Sequence, residues 1–225
     1  MTFSIAARCS ATGQLGLAVS SSSPAVAARC AHARAGVGAV ASQNVTDPRL
    51  GPRGLELMAL GASARQARDA LVASSPGMAH RQLTLVDAKG GTAHWSGAET
   101  LGLHAVAESA GAVCAGNLLA NAEVPEAMLQ AFAKAARDPL GDRLIAALQA
   151  GLEAGGEAGP VHSAGLLLVR DVPWPVADLR IDWQEEAPIA ALASLWRRYE
   201  PQLEDYVTRA LDPAAAPGYG VPGEG

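Results

Sequence analysis

The order in which strand-forming and helix-forming segments alternate constrains this chain more than any single motif. Residues 3–9 and 14–20 read as two strands joined by a turn around Thr12-Gly13, whose chemistry is that of a hairpin. Residues 35–43 predict a third strand buried on both faces, with a short helical turn between Pro24 and Ala33. A loop from Asn44 to Pro52, dense in Pro, Asp, Asn and Gly, leads into helical spacing. There Leu55, Met58 and Leu60 share a face, Gly61 ends the piece, and Ala64 to Val72 forms a second helix. Strands return at 81–87 and 92–96 across Ala88-Lys89-Gly90-Gly91, then at 103–108 and 111–116. Helices over 124–137 and 140–152 follow, then a flexible connector at 155–160 and strands at 163–170 and 176–183. A last helix over 189–211 is interrupted by Pro201. Strand clusters with internal hairpins, alternating with helix pairs, favour antiparallel sheets covered by helices, an α+β architecture.

A chain of 225 residues buries roughly 70–75% of its unfolded surface, enough for a core without disulfide or metal staples. One domain over residues 1–211 is expected, followed by a loose Pro/Gly/Ala-rich tail at 212–225. Hydrophobic residues make up 49%, yet no apolar run approaches the roughly 20 residues that span a bilayer. The start shows no basic segment followed by an apolar core, so neither a leader nor secretion is expected; a cytoplasmic location is. Net charge is −5 and the arginines are scattered, which speaks against nucleic acid as a partner and gives no reason to expect a membrane surface. Cys9, Cys30 and Cys114 are odd in number and lie in apolar stretches, the pattern of reduced, buried thiols. The apolar content makes a homodimer a reasonable expectation.

Several motifs fail on context. Gly36-Val37-Gly38-Ala39-Val40-Ala41 imitates a dinucleotide fingerprint, but it is itself a strand rather than a strand-to-helix turn. Trp95-Ser96-Gly97 lacks the outer glycines of a nucleophile elbow. Histidines 32, 80, 94, 104 and 162 show no metal-ligand spacing, so no metal and no cofactor is expected. Cys30 and His32, two apart, would point to opposite faces of a strand; a Cys-His dyad there requires a loop.

Four places retain chemical interest. Thr2 opens the first strand; with Met1 removed it would carry a hydroxyl and a free α-amine of pKa about 7.7–8.0, a nucleophile and base on one residue. It equally serves simply to open a strand. Ser20 to Ser23 end the second strand, either satisfying turn backbone groups or, if the hairpin register brings them to Thr2, placing Ser21 against a substrate. Ser42-Gln43-Asn44-Val45-Thr46-Asp47 is the densest polar cluster, set at the end of an apolar strand, where binding groups and turn caps both occur. Arg53, flanked by glycines, could fork onto a carboxylate or pair with Glu56. Asn117 after Gly116 could donate to a developing oxyanion or merely shape a turn.

Met1-Thr2-Phe3-Ser4-Ile5-Ala6-Ala7-Arg8, Ala33 to Gln43, Gly51-Pro52-Arg53-Gly54-Leu55, Gly116-Asn117-Leu118-Leu119 and Asp178-Leu179-Arg180-Ile181-Asp182, in that order, resemble the domain-of-unknown-function 1028 family from Met1 to about Tyr199. That family is grouped with the N-terminal-nucleophile hydrolases. The resemblance implies a four-layer αββα sandwich, two antiparallel sheets face to face with helix pairs outside. It implies an amidohydrolase cleaving an amide or ureido C–N bond of a small metabolite, with Thr2 as nucleophile and Asn117 as oxyanion donor. Gln43, Asn44 and Arg53 would then be pocket candidates. The alternative is a non-catalytic small-molecule-binding protein that keeps the same fold and pocket.

Overall fold

The structure is a computed structural model and describes residues 1–221; positions 222–225 of the expected tail lie outside the described residues. Two antiparallel sheets stack face to face. The larger takes β1 (Thr2–Arg8), β2 (Leu15–Ser21), β7 (Ala105–Ser109), β8 (Ala112–Asn117), β9 (Ser163–Val169) and β10 (Ala177–Ile181), in the order β10-β9-β2-β1-β8-β7. The smaller takes β3 (Ala31–Arg34), β4 (Gly38–Asn44), β5 (Arg81–Asp87) and β6 (Thr92–Ser96), in that order. Helices α4 (Val124–Lys134), α5 (Leu140–Glu153), α6 (Pro188–Tyr199) and α7 (Leu203–Leu211) cover the larger sheet. Helices α2 (Leu50–Ala59) and α3 (Ala64–Ser74) cover the smaller one. The expected αββα layering is therefore present, with more helix on one side than a pair.

Strand alternation makes the layers. In β1 the odd residues Phe3, Ile5 and Ala7 join the core under α4–α6, while Ala6 faces the other sheet. Helix α5 meets them with Leu140, Leu144, Ala147 and Leu148, a one-face helical pattern. Full burial of side chains such as Phe3, Ile5, Leu144 and Leu148 stabilises by about 1.5–3 kcal/mol each. Between the sheets the fill is smaller: Ala6, Val19, Ala39, Ala41 and Val113. Small side chains let the sheets approach closely. Gly51 does the same for helix on sheet: it lets α2 approach β3, because a Cβ there would stand 2.0 Å from the His32 ring.

Four expectations are corrected. The stretch read as one strand over 35–43 is split by a turn at 35–37, with Gly36 at φ 69°; β4 starts at Gly38, and β3 (31–34) precedes the turn where a helical turn was expected. The helical piece is confined to a single short helix, α1 (Val26–Cys30). Leu60, expected on the buried face with Leu55 and Met58, is 88% exposed because α2 ends at Ala59. The connector at 155–160 is held in place: Leu119 bridges Glu157, Ala120 N–H donates to Gly156 O, and Ala158 N–H donates to Leu118 O. The turn into it after α5 uses Gly155 and Gly156, both at positive φ, where a side chain would be strained. Residues 212–221 carry neither helix nor strand, and Arg209 donates to the carbonyls of Pro217 and Gly218. No helix among the described residues is long and apolar enough to cross a membrane.

Candidate active site

Register places Thr2 between two hydrogen-bonded neighbours: Asn117 on β8 is its direct partner, and Phe3 pairs with Ser20, which sets Ser21 on the other side. The inter-sheet face of β1 carries Thr2 and Ser4 at this end, followed by Ala6. Facing it, β4 presents Gln43 and β5 presents Gln82. The result is a polar cluster, almost wholly removed from solvent, at one end of an otherwise apolar inter-sheet layer.

Thr2 is 5% exposed. Its hydroxyl donates to the carbonyl oxygen of Met1 and lies 3.5 Å from Ser21 Oγ. Ser21 Oγ also donates to the Met1 carbonyl. Behind it, Ser23 Oγ lies 2.9 Å from Ser21 Oγ and accepts from Arg29 Nη2 at 3.0 Å, and Ser23 N–H donates to Ser21 Oγ at 3.1 Å. With its own proton on Met1 O, Ser21 takes the Ser23 proton, so a chain of donors runs from the Arg29 guanidinium to a carbonyl oxygen. Such a chain polarises that carbonyl. The loop carrying it is fixed by Ser163, whose hydroxyl donates to Ser23 O at 2.7 Å.

The amides form a second network. Gln43 Oε1 accepts from Ser4 Oγ at 2.8 Å, and Gln43 Nε2 donates to Gln82 Oε1 at 2.7 Å. Gln82 Nε2 donates to Gly116 O and Ser96 Oγ, each at 3.0 Å. Asn117 Nδ2 donates to Gln82 Oε1 at 3.1 Å, while Asn117 Oδ1 has no hydrogen-bond partner among the described residues. Buried acceptors of this kind are uncommon and costly, and they mark a place where a further donor fits. Leu118, directly after Asn117, sits at φ 51°, a left-handed conformation that a bulky residue adopts at a cost of about 1–3 kcal/mol.

Glu157 completes the surroundings. It is 4% exposed, and both its oxygens accept the Ser22 N–H at 3.2 Å. Burial pushes its carboxyl up to about 7, against the pull of the chain's N-terminal ammonium and of Ser22, which lower it.

Of the residues singled out in the sequence, Thr2, Ser21, Gln43 and Asn117 meet at this end of the sheets. Asn44 stands at the rim with φ 75°; its amide donates to His80 O and its Oδ1 accepts from Leu101 N–H, so it ties loops together. Arg53 lies apart, on the outer surface of α2, donating to Ser74 at the end of α3 and to Ser75 just after it. Asp47 is paired with Arg49, whose guanidinium holds its carboxyl down to about 2. Cys30 is buried beside Thr46, and burial raises its thiol; His32 bonds to Arg29 O instead, so the two form no dyad. All three cysteines are buried and unpaired. Among the described residues no three His, Cys, Asp or Glu side chains gather as a metal site.

Sequence reasoning missed Ser4, Arg29, Gln82 and Glu157, and noted Ser23 only as one of four hydroxyls ending the second strand. Ser4 and Gln82 carried a signal: each is polar at a position whose alternation partners are small or apolar and lie at the same strand end. Glu157 carried none, since an acidic residue in a glycine-rich stretch reads as solvent-facing. A surface cleft of about 380 Å³ lies at the opposite, hairpin end, lined by Gly36, Val37, Met58, Ser63, Asp87 and Lys89. Its polar groups are turned to structural bonds: Asp87 accepts from Lys89, Gly91 and Ala64 N–H groups, and Ser63 caps α3.

Comparison with known proteins places this architecture. Residues 2–192 match the model of a family of unknown function, DUF1028. Among solved structures, protein SPO2555 from Silicibacter pomeroyi, itself assigned to DUF1028, superposes with a TM-score of 0.83 at 29% identity, covering 91% of this chain and 94% of that one. Anbu (ancestral beta-subunit) from Yersinia bercovieri aligns over 97% of this chain and 100% of its own at 12% identity, with a TM-score of 0.38. No curated protein matches. The match over most of its length shows that the chain belongs to the DUF1028 family.

Proposed function

We propose that this protein is an amidohydrolase of the N-terminal-nucleophile type, cleaving an amide or ureido C–N bond of a small molecule with Thr2 after loss of Met1. The observation that carries the reading is the Met1 carbonyl oxygen, held by the Thr2 and Ser21 hydroxyls beside the buried nucleophile candidate. That nest already receives a carbonyl. Without Met1, the Thr2 amine is free, with a pKa of about 7.7–8.0, and can take the hydroxyl proton. The Thr2 oxygen then adds to the substrate carbonyl, and negative charge gathers on the carbonyl oxygen. Ser21, backed by Ser23 and Arg29, supplies one donor to it. The second amide proton of Asn117, not engaged by Gln82, supplies another. One such donor contributes about 3–4 kcal/mol in enzymes that use it.

A screen of small amides and ureides, run with protein whose intact mass shows Met1 absent, tests this. Thr2→Ala should lower turnover by about 10³-fold or more with the melting temperature unchanged. Unchanged turnover in Thr2→Ala, or full turnover by protein retaining Met1, overturns the reading. One observation favours a binding protein instead. While Met1 is present, Thr2 nitrogen is an amide and its hydroxyl is engaged by the Met1 carbonyl. Ligand binding with no turnover in Met1-free protein is the outcome that would establish that alternative.

A further inference from the structure

Met1 is itself an aminoacyl group bonded to the nitrogen of Thr2; its carbonyl end is held inside while the residue as a whole is 38% exposed, so its surroundings describe what this rim of the site accepts. Its carbonyl oxygen lies between the Thr2 and Ser21 hydroxyls. Its thioether runs past Gly159, where a Cβ would stand 3.6 Å from the Met1 methyl and 3.9 Å from its sulfur. Two residues before Gly159, Glu157 presents a buried carboxylate whose two oxygens share a single N–H, that of Ser22. A carboxylate accepts about four hydrogen bonds, so most of its capacity is open. It forms no ion pair among the described residues, and the charged group acting on it is the chain's N-terminal ammonium. A buried carboxylate left without a cation is costly, and an arriving ammonium relieves that cost.

The nitrogen and hydroxyl oxygen of Thr2 are vicinal. An acyl group on either shares one five-membered ring geometry about its carbonyl carbon, so an acyl group carried on the oxygen occupies nearly the space Met1 fills on the nitrogen. We propose that the space Met1 occupies beside Thr2 accepts an aminoacyl group with a free α-ammonium once Met1 is gone, and that Glu157 receives that ammonium. The inference rests on the Thr2 hydrolase reading for its chemistry. Thr2 Oγ bonds to the carbonyl carbon of an aminoacyl amide, and the Thr2 amine takes the hydroxyl proton. The C–N bond breaks as that proton passes to the leaving amine. Water then cleaves the ester, releasing a free amino acid and restoring the hydroxyl. Glu157 keeps its place throughout as a positioning group for the substrate.

The test uses Met1-free protein and three p-nitroanilides: L-methionyl, N-acetyl-L-methionyl and the des-amino 4-(methylthio)butanoyl compound. The expected kcat/KM for the methionyl anilide exceeds both others by at least 100-fold, and Glu157→Gln narrows that preference below 10-fold, with Glu157→Asp keeping part of it. Equal kcat/KM for the three, each lost in Thr2→Ala, overturns the ammonium site and leaves the hydrolase reading standing. Calorimetry on Met1-free Thr2→Ala protein separates the converse case. There L-methioninamide should bind at least tenfold more tightly than 4-(methylthio)butanamide, even if no anilide is turned over and the hydrolase reading fails. Equal binding of the two amides, or binding of neither, overturns the proposal without reference to turnover.

Discussion

At the hairpin end of the sheets, Asp87 accepts N–H groups from Lys89 and Gly91 in its own turn and from Ala64 at the start of α3. At the Thr2 end, Ser4 reaches Gln43, Asn117 reaches Gln82, Ser22 reaches Glu157 and Ser20 reaches Ser163, across separations of 39, 35, 135 and 143 residues. The same strands run between both ends. One end closes its polar groups mostly within single turns, and each turn is satisfied nearly on its own. The other assembles them from β1, β2, β4, β5, β8 and the loop after α5, so no part is satisfied until all are present. Buried polar groups gathered this way mark the end suited to chemistry, since they hold donors and acceptors in place away from water.

Changing Gln82 to Ala should be the most damaging test of that contrast. It removes the acceptor for Gln43 and Asn117 and the donor to Gly116 O and Ser96. A loss of about 3–5 kcal/mol is expected in urea unfolding. A loss below about 1 kcal/mol would mean water already bonds these groups and the two ends differ little.

Glu157 sharpens the comparison through pH. Its folded-state value of about 7 stands above the ordinary 4.5, so between those values the folded chain holds a proton the unfolded chain has released. Stability from this group is therefore fullest below pH 4.5 and declines as pH rises toward 7, by at most about 3 kcal/mol. Glu157→Gln should flatten unfolding free energies measured between pH 5 and 7.5; an unaltered slope would assign it to other groups. Asp47, held at about 2, acts in a separate window, losing its contribution only as pH falls below the usual carboxylate range.

At the hairpin end, Asp87→Ala should lower stability by about 2 kcal/mol and leave the turnover proposed for the Thr2 site unchanged per folded molecule. Lost turnover in a folded variant would break the separation of the two ends. The smallest effect is expected at Ser63. Its hydroxyl accepts from Gln66 N–H while the Gln66 side chain returns to Ser63 N–H, a local capping box at the start of α3. Ser63→Ala should cost about 1 kcal/mol by thermal unfolding, with no change at Thr2.

Local signals carried most of the fold. The hairpin at Ala88–Gly91, the Pro201 break between α6 and α7 and the Asp138-Pro139 separation of α4 from α5 are all turn chemistry, and all occur where expected. The division between β3 and β4 was hidden because Ala35-Gly36-Val37 is as apolar as the strands it separates, and only the positive φ of Gly36 marks the turn. At the site, Thr2 drew notice from its position and Asn117 from its neighbour Gly116. Arg53 looked equally eligible, yet the helix face it occupies turns it toward Ser74 and Ser75.

By itself the sequence determined the succession of strands and helices, because alternation, capping and turn residues act over a few positions and need no distant partner. It also determined that a hydroxyl residue would open β1. Only the tertiary structure decided that Thr2, Ser21, Gln43, Gln82 and Asn117 gather at one end of the sheets, with Glu157 buried against the neighbouring Ser22. The reason is physical: register and sheet stacking are fixed by the packing of whole faces, and the bonding of a buried polar group depends on whichever distant residue that packing brings within about 3 Å.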